Sequence, residues 1–126
     1  MVHMKLVVGE VLVLESGRPV VGLGVTVFAK LDGGGEGRVG SIATDERGRF
    51  RLEADDAGYV WDLRVEIAAT TPTRTVLYAD DKHRERAGNL ETWTVRLPTQ
   101  ALVAAGVLPP TRSVADELPA LGSTRT

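Results

Sequence analysis

Two histidines, His3 and His83, are the only imidazoles in a chain of 126 residues that contains no cysteine. That inventory removes thiolate nucleophiles, disulfides and Cys-based zinc sites together, and leaves the redox compartment undetermined. The histidines stand far apart in sequence, neither with a second His at metal-ligand spacing. A serine triad would have to draw on one of them, and no Gly-x-Ser-x-Gly elbow is present. Asp55-Asp56 and Asp80-Asp81 offer oxygens to calcium without the spaced ligand pattern of a calcium loop. Gly35-Glu36-Gly37-Arg38-Val39-Gly40 carries the letters of a dinucleotide fingerprint. That motif needs a following helix whose N-terminus receives the pyrophosphate, and a strand is predicted here instead. The residues therefore predict no catalytic group, no cofactor and no metal.

The densest charge cluster runs Asp80-Asp81-Lys82-His83-Arg84-Glu85-Arg86. A mixed-sign run of this kind reads as a solvated loop joining two strands. Its sharper reading is a polar contact patch built from Asp80, Asp81, Lys82, His83 and Arg84. Trp61 and Trp93 sit among aliphatic neighbours and are expected in the core, the alternative being a stacking surface for sugar or bases.

The elements that would position these groups are strands. Trp61, Leu63, Val65 and Ile67 alternate with Asp62, Arg64 and Glu66, a period of two that a helix would scatter. Phe50 and Leu52 alternate likewise with Arg49, Arg51 and Glu53. Val25, Val27 and Ala29 alternate with Thr26 and Lys30, a pattern that Phe28 breaks. Further strands are predicted near Lys5 to Glu15, Val39 to Thr44, Thr75 to Tyr78 and Glu91 to Leu97, about seven in all, the usual number for a Greek-key sandwich. Ser16-Gly17 supplies a turn with Pro19 outside the ladder. Asp45-Glu46-Arg47-Gly48 has type I turn chemistry, which predicts a hairpin from Ile42 to Leu52. Asp32-Gly33-Gly34-Gly35-Glu36-Gly37 reads as a mobile connecting loop.

Composition narrows the setting. The 15 basic and 17 acidic residues nearly cancel, so bulk charge selects neither nucleic acid nor an anionic membrane surface. The opening MVHMKLVVGEVLVLE lacks a basic n-region, and Gly9 and Glu10 break its apolar run. The chain reads as soluble and without its own Sec signal, thus cytoplasmic or exported with a larger assembly.

Gly9-Glu10-Val11, Gly17-Arg18-Pro19-Val20, Gly22, Val25, Val27 and Thr44-Asp45-Glu46-Arg47-Gly48-Arg49-Phe50 resemble the carboxypeptidase regulatory-like and transthyretin-like domains. The resemblance covers roughly the first half of the chain and implies a seven-stranded prealbumin-like sandwich used as an accessory module. Hydroxyisourate hydrolases of that fold are similar at Gly17-Arg18-Pro19 and at Arg49, but carry a His where this chain has Glu10 and end in Tyr-Arg-Gly-Ser. Intradiol dioxygenases are similar in the opening pattern and need two Tyr and two His on iron, for which Tyr59, Tyr78, His3 and His83 lack the paired spacing.

The expectation is an all-β sandwich over 1–97, Greek-key and prealbumin-like, followed by an irregular Pro-containing apolar tail over 98–126. Its function is expected to be non-catalytic: an interaction module that helps assemble or attach a larger complex. The alternatives are a small-ligand or carbohydrate-binding domain and a degenerate transthyretin-like hydrolase. Leu102, Val103, Val107, Leu108, Val114, Leu118 and Leu121 are too apolar for an ordinary linker and are expected to meet another protein or a second copy, the alternative being that the segment lies along the domain's own surface. Truncation after Pro98 would then leave a folded sandwich that has lost its partner.

Overall fold

A computed structural model describes residues 4–55, 59–85 and 88–109. His3, Asp56, Arg86, Val114, Leu118 and Leu121, and the side chains of Asp55, Tyr59 and Trp61, lie outside the described residues. In chain order the elements are β1 (Met4–Val13), β2 (Gly24–Leu31), β3 (Glu36–Ala43), β4 (Arg49–Asp55), β5 (Tyr59–Ala69), β6 (Thr75–Ala79), β7 (Leu90–Leu97) and α1 (Thr99–Ala104). They form two sheets, β4-β1-β7 and β3-β2-β5-β6. This is the all-β sandwich that the alternation predicts.

The core follows from that alternation. Every second residue of a strand points to the same face, so Val25, Val27 and Ala29 of β2 join Leu63, Val65 and Ile67 of β5 on one inner face. Val7, Val11 and Val13 of β1, Phe50 of β4 and Trp93, Val95 and Leu97 of β7 line the other. Burying each of the larger side chains contributes about 1.5–3 kcal/mol. Central β1 runs antiparallel to β4 and parallel to β7.

Gly9 faces inward between the two aromatic residues, Phe50 and Trp93, that flank it in the register. A Cβ there would collide with the Phe50 ring and the Trp93 carbonyl. The ring can turn, but the carbonyl cannot yield without disturbing the parallel ladder. Gly9→Ala is therefore expected to cost about 1–3 kcal/mol, the usual penalty of overpacking. A urea denaturation midpoint unchanged by this substitution would contradict the packing described.

The Asp45–Gly48 turn forms as its chemistry predicts. Gly48 N donates to Asp45 O (2.9 Å), and Asp45 Oδ1 accepts from Arg47 N (2.8 Å) and Arg49 N (2.9 Å). Gly48 has φ +71°, and a Cβ would come within 2.6 Å of Val11 O. The predicted Ile42–Leu52 hairpin nevertheless does not form, because β3 pairs with β2 while β4 pairs with β1 in the other sheet. Thr44 explains the divergence. It is buried, donates from Oγ1 to Val20 O (2.7 Å), accepts from Leu23 N (3.0 Å), and donates from its own N to Leu23 O (2.9 Å). These bonds pin the end of β3 to the 20–23 segment, while Val11 N takes Gly48 O (2.8 Å) and draws β4 to β1. The turn crosses from sheet to sheet.

The glycine-rich stretch is also more ordered than a loose loop. Leu31 N donates to Gly35 O (3.1 Å) and Gly34 N to Leu31 O (3.0 Å), and Gly34 and Gly35 supply the positive φ. Glu36 and Gly37 already belong to β3.

The core does not stop at Leu97. Leu102 of α1 is fully buried in it, Ala105 is buried beside it, and Val107 and Leu108 pack against it. Pro98 at the helix start brings no side-chain cap, and Glu15 Oε1, just beyond β1, accepts instead from Thr99 N and Thr99 Oγ1 (both 2.9 Å). Gly106 (φ +78°) reverses the chain, so that Val107 N reaches Leu102 O (2.9 Å). Leu102 is thus corrected from interaction residue to core residue, and Val107 and Leu108 are half-covered by the chain's own sandwich. Val103 is half-buried on the side toward Glu15.

Candidate functional site

The charge cluster after β6 is woven into the strands. Asp80 Oδ2 accepts from Val65 N (3.0 Å) and from Trp93 Nε1 (3.0 Å), and Asp80 Oδ1 accepts from the Tyr78 hydroxyl. That last bond, stabilising the protonated phenol, pushes Tyr78 up to about 12. Arg84 lies 3.7 Å from the Trp93 ring centroid, donates to Glu91 Oε1 and Thr92 O (both 2.9 Å), and bridges by its backbone to Leu63. Trp93 is buried, as its neighbours predict. Of the predicted patch, Asp81 and Lys82 remain exposed, whereas Asp80, His83 and Arg84 hold strands together.

His83 points elsewhere, its Nε2 lying 2.6 Å from Glu36 Oε2. Glu36 also takes a two-pronged bond from Arg64 (2.6 and 2.7 Å), and Glu66 accepts from Arg64 (3.0 Å) and Arg74 (3.1 Å). Arg64 stacks 4.4 Å from the Phe28 ring centroid, so the aromatic that broke the β2 alternation stands on the outer face under a guanidinium. Bonding to Arg64 holds both carboxyls below their ordinary value. A lowered folded-state pKa stabilises above the unfolded value of 4.5 and is lost as pH falls through the folded one. Stability is therefore expected to decline as pH drops below about 4.5, and Glu36→Gln with Glu66→Gln to flatten that decline. Urea midpoints measured against pH check this, and parallel curves would refute it.

The outer face of β4-β1-β7 is different. Its central row, Leu6, Val8, Glu10 and Leu12, is half-buried. In register, Val8 lies between Arg51 and Thr92, Glu10 between Arg49 and Thr94, and Leu12 beside Arg96. Val8 and Glu10, with Arg49, Arg51, Thr92 and Thr94 beside them, line a shallow concavity of about 480 Å³, and Leu6, Leu12 and Arg96 extend the same face beyond it. Among the described residues the Glu10, Arg49 and Arg96 side chains make no ion pair or side-chain hydrogen bond. Arginine forks beside an apolar floor suit carboxylate or phosphate groups presented by a partner.

The fold thus brings Glu10 and Arg49, far apart in sequence, into direct cross-strand opposition. A guanidinium stays protonated and cannot relay protons as the hydrolases' histidine would. Tyr78 and His83 engage different carboxylates, Asp80 and Glu36. Among the described residues no three His, Cys, Asp or Glu gather to hold a metal, and no helix is long and apolar enough to cross a membrane. The open face escaped sequence reasoning because its members come from three strands, and only Arg49 and Arg51, in the alternation around Phe50 and Leu52, were legible as outward residues.

No family model matches this chain, and no curated protein does. Among solved structures it is similar to a 9R-lipoxygenase from Cyanothece PCC8801, with 15% identity, a TM-score of 0.55, and coverage of 76% of this chain but 17% of that one. It also matches the 3-chlorocatechol 1,2-dioxygenase of Rhodococcus opacus 1CP (17% identity, TM-score 0.47, 75% of this chain, 59% of that chain). A third match is the major plantain pollen allergen Pla l 1 (20% identity, TM-score 0.41, 75% and 94%). The chain spans less than two thirds of the lipoxygenase and dioxygenase chains, and only about a sixth of the former. At such identity the likeness to the lipoxygenase concerns the fold alone.

Proposed function

We propose that this chain is a non-catalytic interaction module, of the transthyretin-like or carboxypeptidase regulatory-like kind, that attaches to another protein through the outer face of β4-β1-β7. The observation that carries this reading is that Glu10, Arg49 and Arg96, which among the described residues make no ion pair or side-chain hydrogen bond, stand beside the half-buried Leu6, Val8 and Leu12. Elsewhere Asp80, His83, Arg64 and Arg84 are engaged within the chain. Arginine is enriched where proteins meet, and half-buried aliphatics at its side add area that association dehydrates.

The test is the stoichiometry of what co-purifies with the full chain from its native source after mild crosslinking. One protein in fixed ratio is expected, lost when Thr92→Glu and Arg96→Glu are combined and retained with Lys82→Glu in the connection between β6 and β7. A small molecule in its place would favour the ligand-binding alternative, which the concavity supports by its volume. Turnover of hydroxyisourate that vanished with Arg49→Ala would overturn the non-catalytic reading.

A further inference from the structure

We propose that the free edge of β4 pairs with the β4 edge of a second copy, joining two three-stranded sheets into one of six strands across a two-fold axis. This goes beyond the function above, which uses the face of the sheet and holds for a single copy as well.

The ladder identifies the unused groups. Val11 N bonds to Gly48 O, so in the antiparallel β1–β4 register the hydrogen-bonded pairs continue as Gly9/Phe50, Val7/Leu52 and Lys5/Ala54. The intervening residues of β4 direct their N–H and C=O away from β1. Arg49 shows this, for its carbonyl accepts from Asp45 N (2.8 Å) and its N–H donates to Asp45 Oδ1 (2.9 Å). Among the described residues Arg51 and Glu53 carry the same orientation with no such cap, at the outer margin of a sheet in which β1 is the one strand beside β4. An uncovered row of this kind is a template for another strand.

The side chains select the partner and the register. Like-charged edges repel their own copies, but β4 reads Arg49-Phe50-Arg51-Leu52-Glu53-Ala54-Asp55, with basic residues before Leu52 and acidic ones after it. Antiparallel self-pairing centred on Leu52 sets Arg51 opposite Glu53 twice, and Arg49 opposite Asp55 in the sequence register. A shift in either direction that preserves the hydrogen-bonding parity opposes Arg51 to Arg51 or Glu53 to Glu53. The same centred register faces the bonding groups of Arg51 and Glu53 toward each other and brings the two Leu52 side chains together at the axis, where Leu52 is half-buried beside Gly40. Arg51 and Glu53 now form a 2.9 Å pair within one strand, with side chains 65% and 53% exposed, so both are available to exchange partners. An isologous two-fold contact needs one surface to complement itself, and this strand does so.

The experiment is sedimentation velocity on the full chain over a dilution series. The natural sequence is expected to reach the mass of two copies. Arg51→Glu and Glu53→Arg, each alone, should weaken the dimer by roughly tenfold or more, because each turns two attractive cross-strand pairs repulsive. The combined Arg51→Glu/Glu53→Arg exchange restores every pairing and should restore the dimer. Circular dichroism and melting show that each variant is folded, and Thr92→Glu/Arg96→Glu, which tests the face, should leave the mass of two copies intact. A natural sequence that stays monomeric, a dimer indifferent to the single reversals, or an exchange that fails to rescue overturns the proposal. None of these outcomes bears on whether the face binds a different protein.

Discussion

Truncation after Pro98 is expected to destabilise the sandwich severely rather than release an intact domain. The cut removes Leu102, which has no solvent exposure, together with Ala105, Val107 and Leu108 that pack around it. Replacing one buried Leu by Ala typically costs about 2–5 kcal/mol, because lost transfer energy adds to the cavity left behind. Deletion of the whole segment also leaves Glu15 without its Thr99 partners and opens the core to water. Total stability of a domain is about 5–15 kcal/mol, so the truncated chain should be largely unfolded or marginal at room temperature. Leu102→Ala in the full chain is the gentler form, with an expected loss of about 3 kcal/mol read from urea denaturation. A truncated chain with an unchanged midpoint would show that the segment is dispensable and would return Leu102 to the role of an interaction residue.

The second large effect is expected at Trp93. Its indole fills the end of the core, donates Nε1 to Asp80 and carries Arg84 on its outer face. Trp93→Ala should cost about 3–5 kcal/mol from the cavity alone. It also leaves the partly buried Asp80 carboxylate short of a donor and releases the arginine that ties β7 to the 84–85 segment. Trp93→Phe separates these contributions by keeping an aromatic ring under Arg84 while deleting the N–H. Its cost is expected at about 1–3 kcal/mol, the penalty for leaving a buried partner unsatisfied. Equal losses for the two substitutions would mean that the Asp80 bond, rather than packing, governs this end of the sandwich.

What the sequence determined by itself was local: about seven strands, inward residues such as Val25, Val27, Phe50, Leu63, Val65 and Ile67, and the Asp45–Gly48 turn. Each rests on a short-range cause, the period of two in side-chain direction or the positive φ that glycine tolerates. Val25 with Leu63, or Val27 with Val65, could be assigned to an interior before any partner was known. Which strand pairs with which depends on contacts between residues far apart in the chain, and there the local reading of 42–52 as a hairpin failed. Thr44 decides that point by sending its hydroxyl to Val20 and Leu23, a destination no spacing within the segment encodes. For the same reason Asp80, His83 and Arg84 read as a solvated run: their partners Trp93, Glu36 and Glu91 lie on other elements. Leu102 read as spare apolar surface because seven strands already accounted for a sandwich, and only packing shows that the core stays open at one end until α1 closes it. The candidate face has this character throughout, since Glu10 gains its meaning from Arg49 and Thr94 beside it, and their adjacency is a property of the β4-β1-β7 sheet.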